Sequence, residues 1–214
     1  MAKTTDRLQW VRVPLQTRSQ ESLDRILDAA EAMIAEKGFE PTSVAEIAKR
    51  ANSSVGAFYG RFREKDDLLR CLHDRFIVQA IATTDAVLDP ARWEGSSIAD
   101  IMAETVPFLV DVFRERRGLL RAFLVRSGVD PEFARGEPSN QHLAQKLRAL
   151  LLARREEIQH PNPALAIDLS LQAILGTLND LALLGCPDNT GLKLDDPDLG
   201  PELARMVVRY MGAE

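Results

Sequence analysis

Apolar residues recur at helical spacing in every segment between the chain's glycine and proline clusters, and no stretch alternates long enough to suggest a strand. The clusters run from Gly38 to Pro41, Pro90 to Gly95, Gly128 to Pro138, Pro161 to Pro163 and Gly185 to Pro201. Leu23, Ile26, Leu27, Ala30 and Ile34 form one face of a first helix, closed by Gly38. Between 96 and 117, Ile98, Ile101, Met102, Leu109, Val112 and Phe113 repeat the pattern, opened by a Ser97–Asp100 capping box. Leu143, Leu147, Leu150, Leu151 and Ile158 mark another helix. Asn162 and Pro163 then read as an N-cap and first-turn proline for a helix carrying Ile167, Leu171, Ile174, Leu178 and Leu181. Leu199, Leu203, Met206, Val207 and Tyr210 give the last. The expected fold class is all-α. Pro107 falls inside a helix and predicts a bend, which either fits the helix round its neighbours or opens a cavity.

The most informative segment is 42–65, TSVAEIAKRANSSVGAFYGRFREK. Ser43 and Glu46 form a capping box, and Val44, Ile47, Ala48 and Ala51 make a buried stripe. Asn52 breaks the period with a residue that tolerates the left-handed turn conformation. Ser53 or Ser54 then caps a second short helix, with Val55, Phe58 and Phe62 as its inner face. Two such helices need a third to pack on, and 20–37 supplies it. The layout is that of a helix-turn-helix whose second helix can enter a major groove. On the outer face, Ser54, Val55, Gly56, Ala57 and Gly60 are small enough for close approach to base edges. Thr42, Ser43, Tyr59, Arg61 and Lys65 are candidates to meet phosphates or bases, and the helix start near Lys65 offers backbone amides. A small helical subdomain with scattered surface cations fits the same pattern.

Charge adds a weak pointer in the same direction. The chain is acidic, with a net charge of −5, yet Lys49, Arg50, Arg61, Arg63 and Lys65 outnumber Glu46 and Glu64 within 41–65. Residues 1–18 are basic as well, through Lys3, Arg7, Arg12 and Arg18 against Asp6. That arm, with Trp10, is expected to be flexible and to add backbone or minor-groove contacts, or to be a plain tail. At 214 residues and 45% hydrophobic, the chain has ample material for a core, which argues against wholesale disorder. No apolar run of about 20 residues stands out, so no membrane partner is expected. The start lacks the apolar stretch of a secretory signal, and two cysteines make no disulfide framework, so the expected setting is cytoplasmic.

The run EIAKRANSSVGAFYGRFREKDDLL closely resembles the N-terminal module of the tetracycline-repressor (TetR) family of bacterial transcription regulators. The resemblance is carried by Thr42-Ser43-Val44, Glu46-Ile47-Ala48, Ala51, Ser54, Gly56, Phe58-Tyr59, Phe62, Lys65 and Leu68-Leu69. The preceding Glu36-Lys37-Gly38-Phe39 fits too. Asn52 stands where the family commonly has a turn glycine, and Ser53 where it usually has an apolar residue. The resemblance implies a three-helix DNA-binding domain at 19–65 and a larger helical effector-binding and dimerisation domain at 66–214. It further implies a homodimer on a palindromic double-stranded DNA operator, released or engaged by a small-molecule effector of unidentified structure. The expected function is that of a ligand-responsive regulator, a repressor rather than an enzyme. The alternative is a helical small-molecule-binding protein, enzyme or carrier, that retains the module.

The resemblance further implies dimerisation through the last two helices. There Ala166, Ser170, Ala173 and Thr177, with Gly176 beside them, form a small-residue stripe, joined on the final helix by Leu203, Met206, Val207 and Tyr210. Effector contacts are sought in Phe76, Met102, Phe108, Phe113, Phe123 and Leu124, all equally suited to plain core. Arg126, Gln172 and Asn179 are the polar candidates; solvent exposure accounts for Gln172 and Asn179 too, and for Arg126 a salt bridge to Asp130 or Glu132 is the simpler reading. His73, His142 and His160 have no neighbours at metal-ligand spacing, and Cys71 is expected to be buried. No cofactor, metal or catalytic residue is assigned.

Overall fold

The computed structural model describes residues 17–130, 133, 138–185 and 190–213, with side chains from residue 20 onward. The basic arm and Trp10 therefore lie outside the described residues, except that Thr17 and Arg18 already belong to the first helix. All regular structure among the described residues is helical. The helices are α1 (Thr17–Lys37), α2 (Val44–Arg50), α3 (Val55–Tyr59), α4 (Lys65–Val87), α5 (Ile98–Glu115), α6 (Arg117–Ser127), α7 (Pro138–Leu152), α8 (Pro163–Leu184) and α9 (Leu199–Met211).

The local start and stop signals act as their chemistry dictates. Ser43 and Ser97 each accept from the amide three residues on, and Glu46 and Asp100 reach back to close both capping boxes. Asn162 accepts from the Leu165 amide, with Pro163 as the first helical residue. Asn52 turns the chain between α2 and α3 with φ of 48°.

Two segments depart from the periodicity. Residues 117–127 form a separate helix, because the backbone leaves helical geometry at Arg116 and restarts one residue later. The helix expected to run from 143 to 158 stops at Leu152 and gives way to a short 3₁₀ turn, Arg155–Glu157. There Arg154 folds back, donating to the carbonyls of Leu150, Ser96 and Trp93, and Ile158 is buried beyond the turn.

The chain divides into two compact units, one drawn from Met1–Val78 and Gly118–Ala134, the other from Gln79–Arg117 and Arg135–Glu214. In the first, α1 packs with α2 and α3 around Ile26, Ile34, Ile47, Phe58 and Phe62, with Leu68, Leu69 and Leu72 of α4 also fully buried. Helix α6 joins this unit, and it comes so near the end of α1 that a Cβ on Gly118 would sit 2.5 Å from the Ile34 carbonyl oxygen.

In the second unit, α5, α8 and α9 share a core of Ile98, Ile101, Val106, Ile167, Ile174, Leu178 and Val207. Pro107 serves as a packing surface: a Cβ on Gly200 would lie 2.7 Å from the Pro107 Cα. Helix α8 is long and apolar enough by composition to cross a bilayer, contrary to the expectation that no segment would be; it also supplies much of this unit's core.

Candidate nucleic-acid interface

The α2–α3 pair is built outward from two aromatic anchors. Phe58 and Phe62 are wholly buried with ring centroids 4.9 Å apart, which fixes the rotation of α3. Ser54 caps the helix, its Oγ accepting from the Ala57 amide at 3.0 Å. With Phe58 inward, Ser54, Val55, Gly56, Tyr59 and Gly60 are exposed and Ala57 is half-buried. Tyr59 is 54% exposed, its ring edge-on to Phe58. Val55, read both on the inner stripe and among the small outward residues, is 42% exposed. Five of these six residues are thus exposed around the short helix.

Besides the capping hydroxyls of Ser43 and Ser54, Thr42, Lys65 and Arg61 among the expected contact residues are engaged within the unit. The Thr42 side chain is 1% exposed and donates to the Gly38 carbonyl at 2.7 Å, so its hydroxyl fastens the α1–α2 turn. Lys65 Nζ donates to the carbonyls of Phe39, Glu40 and Thr42 at 2.9, 3.1 and 3.1 Å, and lies 4.2 Å above the Phe39 ring. All three of its protons are directed at the same turn. Arg61 Nη1 donates back to the Ala57 carbonyl at 3.1 Å.

Several carboxylates of the domain are paired with cations, and two of them, Glu46 and Asp67, have a lowered pKa. Lys37 bonds Glu46 at 2.6 Å, and this bond, followed by those from Ser43, lowers the Glu46 carboxyl to about 2. Asp67 is buried; burial opposes its charge, but hydrogen bonds from the Arg63 side chain and backbone, with the charge of Arg70, hold it below the ordinary range. Arg126 does not pair with Asp130, which is taken by Arg70 at 2.8 Å, and Glu132 lies outside the described residues. Instead Arg126 reaches Glu40 at 3.2 Å and Asp66 at 3.1 Å.

The other expected effector residues are distributed between the units. Phe76 and Phe123, 5.8 Å apart, belong to an aromatic cluster of the first unit with His73 and Phe133. Burial lowers His73 to about 4 and raises the Cys71 thiol to about 12. In the second unit Met102 and Phe113 are buried core, Phe108 and Gln172 face solvent, and Asn179 is half-buried. His142 pairs with Asp85, and His160 contacts Asn162 and the Tyr210 ring.

The small-residue stripe is likewise divided by its helical phase. Ala166 and Ser170 are buried inside the unit, the Ser170 hydroxyl bonding the Ala166 carbonyl, and Leu203 and Val207 are core. Ala173, Gly176 and Thr177 are half-buried. The outward faces carry Leu165, Leu169 and Leu184 on α8, which periodicity did not single out, with Met206 and Tyr210 on α9.

Residues 26–72 match the family model for bacterial regulatory proteins of the tetR family, and residues 97–211 match that for the tetracyclin repressor-like C-terminal domain. The HTH-type transcriptional regulator UidR of Escherichia coli (strain K12) is 28% identical over 178 residues, covering 78% of this chain and 85% of that protein. The HTH-type transcriptional regulator AcrR of Shigella flexneri is 42% identical over 50 residues, 23% of each chain. In fold, a TetR-family regulator from Mesorhizobium loti superposes with a TM-score of 0.72 at 22% identity, covering 92% of this chain and 97% of that one. FadR from Bacillus subtilis, solved in complex with stearoyl-CoA, does so at 0.62 and 20% identity, covering 87% and 98%.

Proposed function

The chain belongs to the tetR family of bacterial regulatory proteins, and from that we propose a ligand-responsive repressor that binds a palindromic operator as a homodimer in the cytoplasm, without enzymatic activity. The observation that carries the reading is the outer face of α3: a helix anchored by Phe58 and Phe62 presents Ser54, Val55, Gly56, Tyr59 and Gly60 to solvent. Such a face can approach base edges closely, with Ser43, Tyr59 and Arg61 near enough to position the backbone. Thr42 and Lys65 support the turn behind it.

The homodimer is supported by the exposed apolar faces of α8 and α9. Leu165, Leu169, Leu184, Met206 and Tyr210 are each more than two-fifths exposed, a concentration of apolar surface suited to an identical face. Two copies would set their reading helices about 34–36 Å apart, or a multiple of it, which predicts an operator with twofold symmetry. The effector is a small molecule held by the C-terminal region.

Selection of bound duplexes from a random pool tests the reading. The expected result is an enriched palindrome, bound several-fold more weakly after Tyr59→Ala. Failure to enrich any duplex at low salt would overturn it.

A further inference from the structure

We propose that Val55 reads the C5 methyl group of a thymine, one in each operator half-site. The inference rests on the DNA-binding reading above and specifies the chemistry recognised.

Each base edge in the major groove calls for its own side-chain type. Guanine is read by Arg or Lys, adenine by Asn or Gln, cytosine by Asp or Glu, and the thymine methyl by an apolar group. The stretch Ser54–Gly60 contains none of the first three. Asn52 stands in the turn before the cap, and Arg61 is folded onto the Ala57 carbonyl. Ser54 Oγ is committed to the cap. What remains outward on the first turn is a β-branched aliphatic side chain, 42% exposed, whose open apolar surface would be removed from water by a methyl group in the groove.

A second observation concerns its neighbour. Gly56 has an ordinary helical backbone, and a Cβ there would meet only Ser54 Oγ, at 3.8 Å. Nothing among the described residues requires glycine there, although glycine weakens a helix. Its value is outside: the bare backbone beside Val55 lets the helix sink to the depth at which a valine methyl touches a thymine methyl.

The test uses the full-length chain and the palindrome it selects. Each thymine of a half-site is replaced in turn by deoxyuracil, which removes the methyl and leaves every hydrogen-bonding group. One position per half-site is expected to weaken binding by about fourfold, the value of one buried carbon group. In Val55→Ala the thymine and deoxyuracil duplexes should bind equally, and Val55→Thr, which keeps one methyl, should retain the preference. Because Val55 is exposed, thermal melting of the variants checks that the fold is kept. A wild-type chain indifferent to deoxyuracil throughout the half-site overturns this inference while leaving the palindrome reading intact. So does a Val55→Ala chain that keeps the full preference. If no duplex is selected, both readings fail together.

Discussion

Arg126 on α6 donates to the Asp66 carboxylate at 3.1 Å across sixty residues of sequence, and the same Nη2 reaches Glu40 at 3.2 Å. Its guanidinium also lies 5.5 Å from the centroid of the Phe39 ring, which Lys65 contacts as well. One side chain thereby ties α6 to the turn before α2 and to the first turn of α4, the two segments that flank the reading pair in sequence. Arg126→Ala should accelerate amide exchange in residues 38–43 and 65–69 while leaving 199–211 unchanged. The global cost should stay near 1 kcal/mol, since the partners are partly exposed. Arg126→Lys should restore only part of this, because an ammonium can keep the charge but lacks the planar face that lies against the Phe39 ring.

His73 packs 4.7 Å from Phe123 and 5.2 Å from Phe133, and burial lowers its pKa from 6.5 to about 4. Between those values the unfolded chain binds a proton that the folded chain refuses. Its contribution to stability is therefore complete above about pH 6.5 and declines as pH falls toward 4, with a slope of up to one proton. The urea midpoint should drop between pH 7.5 and pH 5, and His73→Phe should drop less over the same interval.

What the sequence made legible was what neighbours within one turn decide. The Ser43–Glu46 and Ser97–Asp100 boxes and the Asn52 turn each depend on contacts within a few residues, so spacing alone places them. Lys65 and Arg126 depend on partners 23 to 86 residues away, which leave no periodic trace. The outward apolar face of α8 is hidden in the sequence for another reason. Helix α8 is apolar nearly all round, so Ala166 and Ser170 offered as good a stripe as Leu165 and Leu169. Only packing against neighbouring helices decides which turns inward. The break at Arg116 falls in the polar run Arg114–Gly118, at the limit near 117 that the apolar repeat sets for this helix.

Gly200 and Pro107 meet backbone to side chain at a crossing of α5 and α9. A Cβ at residue 200 would stand 2.7 Å from the Pro107 Cα and 3.1 Å from its Cβ, neither of which can swing aside. Gly200→Ala should therefore destabilise the chain by about 1–3 kcal/mol through overpacking. Differential scanning calorimetry should show a melting temperature lower by several degrees, roughly 2–4 °C per kcal/mol at this size.

Leu169 on α8 and Met206 on α9 are each 49% exposed. If these faces join two copies, Leu169→Glu combined with Met206→Glu places like charges across the seam without disturbing the interior of either protomer. Sedimentation velocity at micromolar concentration should show the wild type as a dimer and the double variant as a monomer. Binding to a full palindrome should then fall toward the affinity for a single half-site. A wild type that sediments as a monomer would remove the assigned interface.

Gly56→Ala separates the needs of the fold from those of the proposed contact. The added Cβ meets only Ser54 Oγ at 3.8 Å, so the protein has room for it. Alanine is a better helix former than glycine by about 0.8–1 kcal/mol, and α3 should gain up to that amount. The same methyl stands beside Val55 on the outward face and would hold the helix away from the groove floor. Stability and operator affinity should therefore move in opposite directions, the melting temperature rising while the selected duplex binds roughly tenfold less tightly, for about 1.4 kcal/mol of lost contact. Paired thermal melts and anisotropy titrations on one preparation read both. Should affinity rise along with stability, the close approach at residue 56 does not occur.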